Sequence, residues 1–342
     1  MTNVLQYLSL GQKLQKGEYT IERELGRGRF CIAYLAQRSN GERWVIKILN
    51  PHVMAGLTST ERDRLETMFW QEAVKLAKCS STPHIVTVEM PFKEGTVICL
   101  PMEYVDGNSL GDRAQRILLE STALEYVQQI GEALTVAHGQ KLIHRDVRPA
   151  NIFLRIRGSK AEAVLADFGL AVACETEQSR TRELERMDGF SPIELYSRGQ
   201  AVGDYTDVYS LAATLYELLT GEVPVSAEAR KVRGEALISP QVMNPEISGR
   251  TTKAILKGME LLPERRSQSI SDWLKLLGVE KQRESPVKEA TNWEKWQAIW
   301  AALAVIVALG MGIPAWLALN KPDPPPTPPE KPTVQPSAKS TR

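Results

Sequence analysis

Two short polar stretches carry the residue types that chemistry on a phosphate needs. His144-Arg145-Asp146-Val147-Arg148-Pro149-Ala150-Asn151 offers a carboxylate followed by an amide, and Asp167-Phe168-Gly169 adds a second carboxylate. A carboxylate at Asp146 can accept the proton of an incoming hydroxyl. The amide oxygen of Asn151 and the carboxylate of Asp167 are hard donors suited to Mg²⁺. They occur in the order that phosphoryl transfer requires, and an apolar strand, Ala163 to Ala166, delivers Asp167 to a strand end facing a cleft. Two unrelated polar loops are the plainer reading. An upstream lysine with matching chemistry argues against it.

That lysine is Lys47, the one charge in Trp44-Val45-Ile46-Lys47. In an apolar strand an ammonium must snorkel to water or meet a partner. Here it could hold the α- and β-phosphates of a nucleotide, clamped by Glu72 in the helical pattern Phe69 to Lys78, with Glu66 as second choice. Gly26-Arg27-Gly28 lies between two predicted strands. A hairpin turn without side chains lets backbone N–H groups approach phosphate oxygens. A dinucleotide fingerprint is disfavoured, because its glycines open a helix, whereas Phe30 to Leu35 reads as strand.

The elements that must position these groups fall into two blocks. Tyr19 to Leu25, Ile32 to Gln37, Trp44 to Leu49 and Thr96 to Tyr104 are rich in β-branched and aromatic residues, and Asn40-Gly41 marks a hairpin. The later part is mostly helical. Thr122 and Glu125 match a capping box ahead of Val127, Ile130 and Leu134, and Tyr205 to Thr220, apolar nearly all round, predicts a buried helix stopped by Gly221.

With these motifs in hand, the chain resembles the eukaryotic-type (Hanks-type) serine/threonine protein kinases of the bacterial, membrane-anchored kind, over roughly Tyr19 to Leu277. The resemblance implies an α+β, two-lobed fold: an antiparallel-sheet N-lobe, about 19–105, and a helical C-lobe, about 106–278. It implies ATP and Mg²⁺ as cofactors and protein Ser/Thr hydroxyls as acceptors. In its terms Leu25, Gly26, Arg27 and Gly28 cover the phosphates, Lys47 and Glu72 form the strand–helix pair, and Ala33 lies over adenine. Met102 guards the back of the adenine pocket, and Glu103 to Val105 supply the hinge. Asp146 is the catalytic base, and Asn151 and Asp167 hold the metal. Ser191-Pro192-Ile193-Glu194 stands in the place of the Ala-Pro-Glu motif, with Glu194 pairing Arg266, and Asp207 braces the catalytic loop.

Four positions depart from that pattern. Cys31 replaces the third glycine of the loop, where tolerated variation is favoured over a redox-sensitive thiol. Arg148 stands for the usual lysine beside the transferred phosphate, Met187 for a threonine that orients the base, and Ala33 for a valine. Cys31, Arg148 and Met187 motivate an alternative, a nucleotide-binding scaffold with little transfer; the presence of Lys47, Asp146, Asn151 and Asp167 together favours the enzyme. The retained Arg145 suggests a basic pocket for a phosphorylated segment, with Thr176, Ser179 and Thr181 as acceptors and a homodimer as the route to autophosphorylation.

Composition limits the remaining classes. With 24% charged residues and a formal net charge of +1 in 342 residues, the chain lacks the electrostatic footprint of a nucleic-acid binder. Cys31, Cys79, Cys99 and Cys174 form no CxxC pair, which disfavours a zinc site or a disulfide framework. Residues 1–18 form an N-terminal extension without a secretory pattern, and 19–278 the catalytic domain. A polar juxtamembrane linker, 279–297, leads to an uncharged stretch, 298–319, long enough to span a bilayer as a helix. Trp293, Trp296, Trp300 and Trp316 flank it as interfacial anchors, and the Pro-rich tail 320–342 could not bury it in a core. Basic residues lie on both sides of the span, so the positive-inside rule decides little; ATP places the catalytic domain in the cytoplasm and the tail across the membrane.

Overall fold

The computed structural model describes residues 7–28, 30–158, 160–168, 189–196 and 200–279. Met1–Glu280 forms one compact unit, and the second unit, Lys281–Arg342, lies outside the described residues. The expected span 298–319, most of the linker and the Pro-rich tail therefore lie outside them too, as do Met187, Thr176, Ser179, Thr181 and Gly169. Among the described residues no helix is long and apolar enough to cross a membrane.

The first block is an antiparallel sheet in the order β1-β2-β3-β4-β6-β5, made of β1 (Lys13–Leu14), β2 (Tyr19–Arg27), β3 (Cys31–Arg38), β4 (Arg43–Leu49), β5 (Phe92–Glu94) and β6 (Val97–Glu103). Asn40-Gly41 turns β3 into β4, with Gly41 at φ 89°. The expected strands are all present; β1 and β5 are too short for a residue pattern to reveal.

Between β4 and β5 lie α1 (Pro51–Ala55) and α2 (Ser59–Ala77). Thr58 and Glu61 form a reciprocal capping box that starts α2. Leu65, Phe69, Ala73 and Leu76 recur at helical spacing and are buried, which turns Glu72, beside Ala73, toward the polar groups at the edge of this contact. Full burial of a Leu or Phe contributes about 1.5–3 kcal/mol, so this stripe fixes the helix against the sheet.

The second block contains α3 (Glu120–Gly139), the hairpin β7 (Ile152–Arg157) and β8 (Lys160–Leu165), then α4 (Asp204–Thr220), α5 (Pro240–Met243), α6 (Gly249–Gly258) and α7 (Ile270–Leu277). The α4 helix is buried on nearly every side, as its composition predicts. Its interior hydroxyls are satisfied by back-bonding, with Thr214 Oγ1 donating to Ser210 O at 2.8 Å, and Gly221 closes it at φ 75°, a left-handed conformation that glycine adopts without a Cβ clash.

The expected capping box at Thr122 and Glu125 is not formed. Helix α3 already begins at Glu120, with no side-chain cap at Leu119. The Glu120 carboxylate instead accepts from Ser248 Oγ at 2.7 Å and Ser248 N at 3.0 Å, so a tertiary contact accompanies a helix start three residues earlier than local sequence suggests.

Candidate active site

The loop carrying Asp146 runs between α3 and β7 and is fastened from beneath. Asp207, in the first turn of α4 and fully buried, accepts from His144 N on Oδ2 and Arg145 N on Oδ1, both at 2.8 Å. His138 Nε2, at the end of α3, lies 2.7 Å from Oδ2. A buried carboxylate with this many partners is stable, whereas one without them costs several kcal/mol, of order 3–5. The brace allows Arg145 to stand at φ 68°, an uncommon conformation for a side chain of its size.

Above this brace, Asn151 Nδ2 donates to Asp146 Oδ2 and to Asp146 O, each at 2.8 Å. The nitrogen is thus committed to Asp146, leaving the amide oxygen as the atom suited to a cation. Arg148 Nε lies 3.3 Å from Asp146 Oδ1, a charge contact whose geometry does not make a hydrogen bond. Burial raises the Asp146 carboxyl above the ordinary aspartate range, against the lowering pull of Arg148, His144 and Asn151. Burial lowers the His144 pKa against the opposing pull of Asp207 and Asp146, and the ring sets its Nε2 3.0 Å from Ala166 O and its Nδ1 to accept from Asp146 N at 3.2 Å. Its ring packs on Phe168 at 4.4 Å between centroids, tying the loop to the segment that carries Asp167.

Asp167 follows β8 at φ 55°, and its side chain is 53% exposed to the cleft. Its Oδ1 accepts from Lys47 Nζ at 3.1 Å, and this ammonium, followed by His144 and Arg148 among the lesser causes, holds the Asp167 carboxyl below its usual range. Burial opposes the charge on Lys47, yet Asp167, the Cys31 thiol and Asp146 more than offset it and keep the ammonium above its ordinary pKa.

The expected Lys47–Glu72 clamp is not formed. Glu72 Oε1 accepts from Arg145 Nη1 at 3.2 Å, and Glu72 Oε2 is buried without a hydrogen bond. Burial, only partly offset by Arg145, raises the Glu72 carboxyl. Lys47 takes Asp167 because the turn after β8 brings that carboxylate to it, and Glu72 takes the cation that the braced loop presents. Glu66, the second choice, lies 3.8 Å from Lys93 instead.

On the sheet side, Ala33 pairs with both Gly26 and Lys47, which puts the glycine turn, the small residue and the lysine on adjacent strands. A Cβ on Gly26 would meet no protein atom within 4 Å, so packing within the chain does not account for glycine there. Gly28 is held by its N–H to Cys31 O at 2.9 Å and by Asn50 Nδ2 donating to Gly28 O at 3.1 Å. Leu25 is 36% exposed beside the turn, and burial pushes the Cys31 thiol up to about 11, so the thiolate that oxidation chemistry needs is scarce at neutral pH.

Met102 is buried at the end of β6, and Val105 packs partly buried against the same core. The Glu103 N–H donates to Thr87 O at 2.8 Å, and its carboxylate accepts Arg155 Nη2 at 2.6 and 2.7 Å. Arg155, like Arg145 as partner of Glu72 and Asn50 as anchor of Gly28, is not apparent from sequence. Each acts through a contact between residues far apart in the chain, with no local spacing to mark it. The pair foreseen between Glu194 and Arg266 is present, bidentate at 2.7 and 2.9 Å, with both side chains fully buried.

Asn151 and Asp167 together form an all-oxygen donor set, and Lys47 keeps Asp167 ionised. A hard divalent cation fits such a set when phosphates and water complete its shell. Among the described residues no group of three His, Cys, Asp or Glu side chains could enclose a metal by itself.

The family model described as protein kinase domain matches residues 19–284. The chain belongs to the protein kinase family. Its relatives include a probable serine/threonine-protein kinase of Clostridium acetobutylicum, 30% identical over 75% of this chain and 39% of that protein. Another is the serine/threonine-protein kinase PknJ of Mycobacterium tuberculosis, 30% identical over 75% of this chain and 44% of that protein. The chain thus spans less than half the length of these two curated relatives. Among solved structures, the kinase domain of Mycobacterium tuberculosis PknI superposes with a TM-score of 0.60 at 25% identity, covering 80% of this chain and 99% of that one. The strand-rich and helical blocks are therefore the small and large lobes of a protein kinase fold.

Proposed function

We propose that this kinase-family chain transfers the γ-phosphate of ATP to Ser or Thr hydroxyls of protein substrates, with Mg²⁺ and with Asp146 as the base. The observation that carries the reading is the convergence of four side chains on one cleft. Lys47 Nζ lies 3.1 Å from Asp167 Oδ1, and Asn151 Nδ2 lies 2.8 Å from Asp146 Oδ2. The relatives' names, all serine/threonine kinases in the bacterial cases cited, support the acceptor class.

In this reading the hydroxyl oxygen attacks the γ-phosphorus, the bond to the bridging oxygen of ADP breaks, and the proton passes to Asp146 Oδ1 or Oδ2. Lys47 binds the α- and β-phosphates, and Arg148 offsets charge beside the base. Asn151 and Asp167 hold Mg²⁺, which when bound neutralises charge on the phosphate oxygens. The Gly26-Arg27-Gly28 turn covers the phosphates. Ala33, Met102 and the hinge from Glu103 to Val105 enclose adenine. Incubating the full chain with labelled ATP and Mg²⁺ beside Asp146→Asn tests this: label in the wild type alone is expected, and equal label in both would defeat it.

A nucleotide-binding scaffold is the second reading. The Glu72–Arg145 pair favours it, because Lys47 then lacks its helix partner. The same incubation separates the two.

We further propose a membrane-anchored signalling kinase, with 298–319 as the span, the catalytic domain cytoplasmic and the Pro-rich tail on the far side. The uncharged run and its flanking tryptophans support this. Protease added outside intact cells is expected to trim only the tail; loss of the catalytic domain would overturn the topology.

A further inference from the structure

Residues 7–18 precede the span matched by the family model, yet they are built into the small lobe. Strand β1 pairs with the start of β2, Gly11 N donates to Ile21 O at 2.8 Å, and Ile21 N donates to Gln12 O at 2.9 Å. Leu8 and Leu14 are buried in one cluster with Tyr19, Ile21, Ile32 and Tyr34, and the Leu8 amide donates to the Tyr34 hydroxyl. This segment is therefore fixed in register along β2 and β3.

Its first described residue reaches the glycine turn. The Arg27 guanidinium stands over the Tyr7 ring, 4.9 Å from its centroid, and is oriented by Glu24 through bonds of 2.7 and 3.0 Å. Arg27 is the last residue of β2, paired with Ile32 and flanked by Gly26 and Gly28, so its side chain stands where the strand enters the turn. Asn50 grips one side of it at Gly28 O. Arg27 is a second handle.

We propose that the segment from Tyr7 to Leu14 is a strap that holds the phosphate-covering turn, with Tyr7 as a positioning residue acting through Arg27. The proposal rests on the nucleotide-binding reading of that turn, and it assigns to the N-terminal extension a role that the family model does not contain. Cation–π contacts at exposed sites are modest, so Tyr7→Ala is expected to weaken ATP binding about two- to fivefold. Tyr7 also shares a side-chain hydrogen bond with Arg27, so Tyr7→Phe, which keeps the ring face and loses the hydroxyl, should fall between wild type and Tyr7→Ala.

The test uses the full chain as wild type, Tyr7→Ala, Tyr7→Phe, Arg27→Ala and the Tyr7→Ala/Arg27→Ala double variant. Two readouts are taken: amide hydrogen exchange over residues 24–34, and affinity for Mg-ATP by displacement of a fluorescent ATP analogue. Faster exchange and weaker binding in Tyr7→Ala, with no further change on adding it to Arg27→Ala, are expected. Unchanged exchange in Tyr7→Ala overturns the strap, as does an equal effect of Tyr7→Ala in the presence and absence of Arg27, which marks general loosening of the lobe. Exchange reports on the turn without nucleotide, so absence of ATP binding in the wild type would count against the proposed function alone.

Discussion

Glu72 and Arg145 meet at 3.2 Å, pairing the long helix of the small lobe with the loop that carries the proposed base, while Lys47 rests on Asp167. Two carboxylates and two cations are thus shared out in a cross pattern. A cation bound at Asp167 would compete with Lys47 for that carboxylate and would leave the ammonium to phosphate or to Glu72. Glu72→Gln removes the charge available to either cation. We expect it to lower kcat/KM for ATP about tenfold or more, equivalent to about 1.4 kcal/mol, in steady-state kinetics with ATP varied. A value within about twofold of wild type would remove Glu72 from the catalytic arrangement.

The pH dependence follows from Asp146 and Asp167, which shift in opposite directions. Burial raises Asp146, so its ionised form is disfavoured in the folded chain: the stability tied to its protonated form is present below the unfolded pKa and lost as pH rises through the folded one. Asp146→Asn should therefore abolish transfer without lowering Tm at pH 7. In the wild type, the acid limb of kcat/KM should lie above the ordinary aspartate range, since the base must be ionised. A limb at or below that range in a pH–rate profile would contradict the assignment.

For Asp167 the sign is reversed. Lys47 depresses its pKa, so the stability it contributes is present above the unfolded value of about 3.9 and lost as pH falls through the folded one. Lys47→Met should flatten the fall of Tm with acidification below about pH 4. Thermal melts across that range check this, and an unchanged slope would deny the pair any weight in the folded state.

Arg266→Lys should be strongly destabilising. Lysine cannot reproduce the two-pronged contact with Glu194, nor the further bonds from Arg266 to Glu260 O at 2.7 Å and Leu261 O at 3.0 Å. Breaking a buried pair from one side costs about 3–5 kcal/mol. Urea denaturation should show a loss of that order, and a loss below about 1 kcal/mol would mean the pair is replaceable.

Arg155→Ala should act on nucleotide affinity. It releases Glu103, whose backbone belongs to the proposed adenine hinge, and charged hydrogen bonds contribute about 1.5–3 kcal/mol. If part of that is spent on holding the hinge, KM for ATP should rise about three- to tenfold with kcat little changed. A fall in kcat at constant KM would place Arg155 elsewhere in the mechanism.

Autophosphorylation on Thr176, Ser179 or Thr181, which lie outside the described residues, is expected if Arg145 exchanges its contact with Glu72 for one with phosphate. Mass spectrometry after incubation with Mg-ATP should find phosphate between Cys174 and Phe190. Its absence there would remove the idea.

Much of the fold was legible because its signals are local. The strands around Lys47, the Asn40-Gly41 turn and the buried α4 ending at Gly221 depend on alternation, turn chemistry and composition within a few residues. The order of Asp146, Asn151 and Asp167 was readable for the same reason. Arg266 could be paired with Glu194 only through resemblance, since 72 positions separate them. The Glu72 partner was misjudged because sequence ranks candidates by type, whereas the choice between Lys47 and Arg145 is made by where the turn at Asp167 and the brace at Asp207 leave the two cations. Thr122 and Glu125 failed as a cap because α3 starts three residues earlier, where Glu120 meets Ser248, distant in the chain. The contact of Tyr7 with Arg27 left no local trace at all.

The brace at Asp207 has one more consequence. Its bonds all run to elements of the large lobe, so the Asp146–Asn151 pair is fastened from beneath to that lobe, and the Arg145–Glu72 contact is the loop's link to the small one. Lys47 and the glycine turn ride on the sheet. Any hinging of the sheet alters the reach of the lysine while the base stays put, which makes the large lobe the anvil and the small lobe the hammer of this enzyme's cycle.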